Sequence, residues 1–158
     1  MAIVLELLRH GLALPASPGG DRERPLSPGG EQDVAQLAAH LARTGWQPDR
    51  AFTSPLRRAV DTARIVCGAA GAPVRIETLR ELEPDARPAD VLEALARECV
   101  TGGQVLLVSH MPLLGRLAAH LTGSERGFSP GTLVRIRCTD GLERGAGEEV
   151  LTLDPGDA

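Results

Sequence analysis

Three short segments hold the residues best suited to handling a phosphoryl group: Arg9-His10-Gly11, Ser54 with Arg57 and Arg58, and Ser109-His110. A neutral imidazole is a competent nucleophile near neutral pH, because its unperturbed pKa is about 6.5. Guanidinium groups offer planar forked donors that match phosphate oxygens. Histidines and arginines gathered from these three places have the makings of a phosphate site. Either histidine alone would read as structural, and an arginine pair on a helix as a solvated face. The combination favours a site.

The elements around these segments place them together. Ile3–Leu8 is an apolar run that ends at Arg9, and it reads as a strand buried on both faces. Ala51–Thr53 is a shorter strand ending at Ser54, and Val105–Val108 is a buried strand ending at Ser109-His110. Helices are expected from Ser27-Pro28, with Ser27 as cap, from Leu56 to about Cys67, from Pro88 and from Pro112. Val74–Ile76 reads as a small strand, and Leu133–Ile136 and Val150–Leu153 as two closing strands. Strands alternating with helices predict an α/β fold. Its form is a three-layer αβα sandwich over residues 1–158, one domain with a mostly parallel central sheet and an antiparallel edge strand. In such sheets ligands bind beyond the carboxyl ends of the strands, where all three segments lie. Two of them lead into helix amino ends, which attract anions.

Composition narrows the classes. The 158 residues carry a net charge of −4, which argues against nucleic acid as a partner. Every cationic side chain is Arg; there is no Lys. No stretch approaches the roughly 20 apolar residues of a membrane helix, so no membrane association and a cytoplasmic location are expected. Cys67, Cys99 and Cys138 are odd in number and widely spaced, and are expected to be buried reduced thiols. No carboxylate or thiolate stands at ligand-like spacing from His10 or His110, so neither a metal nor any other cofactor is expected. His40 and His120 fall within helices away from the site.

The motifs also resemble a known family. LLRHG resembles the RHG signature of the histidine phosphatase superfamily, TSPLRRAVDTA its S-P-x-x-R-A-x-x-T-A motif, and VLLVSHMPLLG the segment carrying its second histidine. The RPLSPGG and SHMPLLG segments are most similar to the compact SixA-type phosphohistidine phosphatases. The resemblance spans nearly the whole chain. It implies His10 as a nucleophile that becomes transiently phosphorylated, with Arg9, Arg58 and His110 around the phosphoryl oxygens. His110 would act as a cationic donor beside a phosphate dianion. Arg58 rather than Arg57 fits the motif, because it precedes Ala59. Arg24 in RPLS matches a position near the phosphate. Glu81, in Leu79-Arg80-Glu81, fits the place of the general acid, with Glu83, Asp85 or none of the three as alternatives. The implied activity is removal of phosphate from phosphohistidine on a partner protein. The alternatives are hydrolysis of small phosphate esters and a non-catalytic phosphate-binding regulatory role.

Overall fold

The computed structural model describes residues 2–157. Six strands form one sheet: β1 (Ile3–Arg9), β2 (Arg50–Thr53), β3 (Ile76–Thr78), β4 (Gly103–Ser109), β5 (Leu133–Cys138) and β6 (Gly147–Leu153). Their order is β3-β2-β4-β1-β5-β6. The first four in that order run parallel, β5 lies antiparallel to β1, and β6 antiparallel to β5. This is the expected three-layer α/β fold.

Period-2 alternation along β1 explains the layering. Ile3, Leu5 and Leu7 point into the core beneath α3 (Pro88–Arg97) and α4 (Leu113–Thr122), where Leu95, Leu114 and Leu117 are fully buried. Leu8 points the other way, toward Val34 and Leu41 of α1 (Pro28–Arg43) and Ala63 of α2 (Arg57–Cys67). Glu6 interrupts the apolar run and is nevertheless fully buried. Trp46 Nε1 and Gln104 Nε2 donate to its Oε1 at 2.7 and 2.8 Å, and the Arg135 guanidinium donates twice to Oε2. A carboxylate so satisfied is tolerable in a core, where an unpaired one is not.

Two local expectations shift. The third strand forms at Ile76–Thr78 rather than Val74–Ile76. Val74 and Ile76 do pack on the α1–α2 side, but pairing with β2 begins only at Ile76. Cys67 and Cys138 are buried free thiols, whereas Cys99 is exposed. It follows the last turn of α3 with φ 58°, a chain-reversing position at the surface rather than a core one. Ser27 caps α1 as expected, its side chain accepting from Gly30 N at 3.0 Å.

Candidate active site

The strands β2, β4 and β1 are neighbours, so their carboxyl ends bring Ser54, Ser109-His110 and Arg9-His10 side by side. Backbone bonds lock the three ends in register: His10 N donates to Ser109 O at 3.1 Å, and Ser54 N to Val108 O at 3.0 Å. A cleft of about 320 Å³ opens there, lined by Arg9, His10, Arg24, Arg58, His110 and Met111, among others. His10, Arg58 and His110 are buried.

The surroundings of His10 define its chemistry. Its Nδ1 stands 2.7 Å from Gly11 O. A carbonyl only accepts, so Nδ1 carries the proton and Nε2 keeps the lone pair of a nucleophile. Gly11 N in turn donates to Thr62 Oγ1 at 3.0 Å, and that hydroxyl donates to Arg58 O at 2.8 Å. The nucleophile's loop and the arginine's helix are thus tied through one side chain. Burial, reinforced by the charges of Arg58, Arg9 and Arg24, pushes the His10 pKa down to about 4, so the ring is neutral and ready to attack.

His110 is buried beside it, with Nε2 at 2.8 Å from Ser54 Oγ. Burial first, and then the positive charges of its neighbours, lower its pKa to about 3. On these charges His110 is neutral. The cationic donor expected is its form beside a phosphate dianion, whereas the charges that lower its pKa here are those of His10, then Arg58 and Arg9.

The arginines are held by oxygens at one end of each guanidinium. Arg9 NH1 donates to Phe128 O at 2.7 Å. Arg58 NH1 donates to Asp21 O at 3.0 Å, and its NH2 lies 3.5 Å from the Asp21 carboxylate. Arg24 donates to Asp21 Oδ1 and to Leu14 O, both at 2.9 Å. Burial lowers the pKa of Arg9 and Arg58, yet a guanidinium stays cationic. Among the described residues, the buried side-chain polar atoms without a partner are Arg9 Nε, Arg58 Nε, His110 Nδ1 and His120 Nε2. The first three belong to residues that line this one cleft. Buried polar atoms are normally paired, so three unpaired ones on residues of one cleft, two of them guanidinium donors, suit a ligand with several oxygens.

The carboxylates fall elsewhere. Glu81 accepts from Arg97 NH2 at 2.8 Å and lines a separate surface depression with Glu83 and Asp85. Partial burial pushes its pKa up, but the bond and charge of Arg97, with Arg80 adding to them, outweigh that and hold the carboxyl below its ordinary value. Glu83 pairs with Arg22 at 2.5 Å. Among the described residues no Asp or Glu lines the cleft. Arg57 is half-exposed and 3.6 Å from Asp61, a solvated helix pair. His40 and His120 lie away from the cleft. Sequence reasoning missed Asp21, which orients Arg58 and Arg24; a loop rich in Gly and Pro offered no periodic signal for it.

Residues 5–85, just over half the chain, match the model of the histidine phosphatase superfamily, branch 1. This chain belongs to the histidine phosphatase superfamily. It is 35% identical over 123 residues to the phosphohistidine phosphatase SixA of Escherichia coli K12, covering 75% of this chain and 74% of that protein. A solved structure of the protein histidine phosphatase SixA complexed with tungstate superposes with a TM-score of 0.83. It is 29% identical, with 96% of this chain and 97% of that one covered. A phosphoserine phosphatase from Entamoeba histolytica shares the fold at a TM-score of 0.72 and 14% identity, with 98% of each chain covered. The chain is a SixA-type histidine phosphatase and a hydrolase. No described helix is long and apolar enough to cross a membrane.

Proposed function

We propose that this phosphatase removes the phosphoryl group from a phosphohistidine on a partner protein, through a phosphorylated His10. His10 Nε2 attacks phosphorus in line, and the P–N bond of the substrate breaks as its electron pair returns to the leaving imidazole. The unpaired donors of Arg9, Arg58 and His110 take the equatorial oxygens, with Arg24 at the cleft wall adding charge. Water then cleaves phospho-His10, releasing inorganic phosphate and the free enzyme. The guanidinium groups supply the positive charge, so turnover is expected to persist in EDTA.

The observation that carries the choice of substrate is the composition of the cleft wall, which among the described residues includes two histidines and three arginines but no carboxylic acid. An alkoxide leaving group needs a well-placed proton donor, whereas an imidazole leaving from a phosphoramidate is readily protonated by solvent. The resemblance to phosphohistidine phosphatases points the same way. The test compares kcat/KM for a phosphohistidine protein with that for a small alkyl phosphate, alongside intact-mass analysis after rapid quench. Higher kcat/KM for the phosphohistidine protein, with one phosphoryl group trapped on His10, is expected. Faster turnover of the alkyl phosphate would replace this substrate with a small ester, and no turnover of either would leave a phosphate-binding domain.

A further inference from the structure

His10 and His110 sit against different kinds of partner, and the difference bears on which nitrogen of each ring carries a proton. Gly11 O accepts, and so sets His10 directly. Ser54 Oγ is able to donate or to accept, so His110 has two candidate states. The rest of the Ser54 environment separates them. Ser54 is fully buried, and its Oγ already accepts from Leu56 N at 3.2 Å. Among the described residues the other hydrogen-bond partner of that oxygen is His110 Nε2. If Nε2 donated to it, the hydroxyl proton would have no acceptor in a buried setting. The unpartnered Nδ1 would then be a lone pair placed in an anion site. If the hydroxyl donates, every group on Ser54 is satisfied, and Nδ1 becomes a third unpaired donor beside Arg9 Nε and Arg58 Nε.

We propose that the Ser54 hydroxyl donates to His110 Nε2 and fixes that ring in its neutral Nδ1–H form, making Ser54 the residue that turns His110 into a phosphoryl donor. Both histidines then share one tautomer but present opposite nitrogens. His10 offers the bare Nε2 to phosphorus, and His110 offers Nδ1–H to an oxygen. No proton has to be taken up by His110 before substrate binds. The low pKa of His110 agrees with a neutral ring. Ser54 touches no substrate in this scheme; it is a positioning residue.

The functional consequence rests on reading this cleft as a phosphoryl site, but the tautomer is a property of the free protein and is measured there. The experiment is long-range ¹H–¹⁵N correlation of histidine-labelled protein at pH 7, with His110 assigned by its loss in His110→Asn. The wild type should show His110 with a protonated Nδ1 and a bare Nε2. A protonated Nε2, in either a neutral or a cationic ring, overturns the proposal whether or not any variant folds. In Ser54→Ala the ring should redistribute toward Nε2–H, and an unchanged tautomer there also overturns it. Binding of vanadate to Ser54→Ala should weaken by the inverse of the fraction left in the competent form, roughly three- to tenfold. Full vanadate affinity in a variant whose tautomer has switched would sink the donor role. If neither phosphohistidine nor an alkyl phosphate is hydrolysed while the wild-type tautomer is as stated, the proposed function fails and the assignment of Ser54 stands.

Discussion

The rings of His10 and His110 stand with centroids 4.9 Å apart and planes tilted by 56°, two imidazoles sharing one buried wall with the arginines. Each is held neutral at pH values where a free imidazole would take up a proton. The unfolded chain, with ordinary values near 6.5, therefore binds more protons than the fold between about pH 3 and 6.5. Stability should rise with pH through that window and level off above it. From pH 7 to pH 5 the loss should be roughly 2–4 kcal/mol, since each tenfold difference in proton affinity between fold and unfolded chain is worth about 1.4 kcal/mol. Urea denaturation at the two pH values measures it. A His10→Asn, His110→Asn double variant should lose much of the slope, and an unchanged slope in that variant would refute the assignment.

Arg58 and Arg57 are adjacent in sequence and opposite in circumstance. Arg58 is buried at the cleft and oriented by Asp21; Arg57 is half-exposed beside Asp61. Removing one preorganised charge at a transition state costs typically about 10²–10³ in rate, whereas a solvated arginine contributes little. Arg58→Ala should therefore lower kcat/KM by about two orders of magnitude and Arg57→Ala by less than about threefold. Asp21→Asn should fall between them. Steady-state kinetics on one phosphohistidine substrate checks all three, and equal losses for the arginines would contradict the placement.

Glu81 has the L-x-E context of a general acid, but the structure ties it to Arg97 and leaves it ionised outside the cleft. Glu81→Gln is expected to change kcat/KM by less than about threefold for phosphohistidine and alkyl phosphate alike, the usual effect of a surface change away from the chemistry. A selective loss on the alkyl phosphate would restore Glu81 as the proton donor.

What is legible in the chain and what is not follows from how far apart the cooperating residues lie. The strand ends at Arg9, Ser54 and Ser109 announce themselves locally, as apolar runs that stop at a polar residue. The parallel α/β rule then brings them to one edge. Arg58 over Arg57 is readable from a short motif. Glu81 fits its motif, but its side chain meets Arg97, 16 positions on, and a motif names a residue without naming its partner. The four hydrogen bonds to Glu6 come from residues 46, 104 and 135, and no pattern in the chain announces them. Asp21 is hidden in the same way: its partner Arg58 lies 37 residues away.

Gly30 sets how closely the nucleophile's loop approaches α1. A Cβ built there would stand 2.0 Å from Leu12 O and 3.0 Å from Leu12 N, both backbone atoms that cannot swing aside. Alanine normally gains about 1 kcal/mol over glycine inside a helix, but overpacking against fixed atoms costs typically about 1–3 kcal/mol or more. The clash should win. Gly30→Ala should be less stable than wild type by at least about 1 kcal/mol in urea denaturation. Its activity should fall further than its folded fraction, because Leu12 lies two residues from His10. A stabilised Gly30→Ala with full activity would show that the loop yields freely.

Thr62 offers the cleanest separation of positioning from packing. Its hydroxyl accepts from Gly11 N and donates to Arg58 O, so one atom links the backbone that sets the His10 tautomer to the helix that carries Arg58. Thr62→Val keeps the shape and removes both bonds. It strands a buried N–H at Gly11, a loss worth about 1–3 kcal/mol of stability. Thr62→Ser keeps both bonds and removes a methyl group, for roughly 1 kcal/mol. If packing alone mattered, Ser would be the more damaging change. If the hydroxyl holds the nucleophile, Val should cost about tenfold or more in kcat while Ser stays near wild type, and vanadate affinity should weaken less than kcat because the arginines remain in place. The ¹⁵N signals of His10 provide the decisive readout. They should keep the Nδ1–H pattern in Thr62→Ser and broaden or shift in Thr62→Val, and identical His10 spectra and rates in the two variants would reduce Thr62 to a core residue.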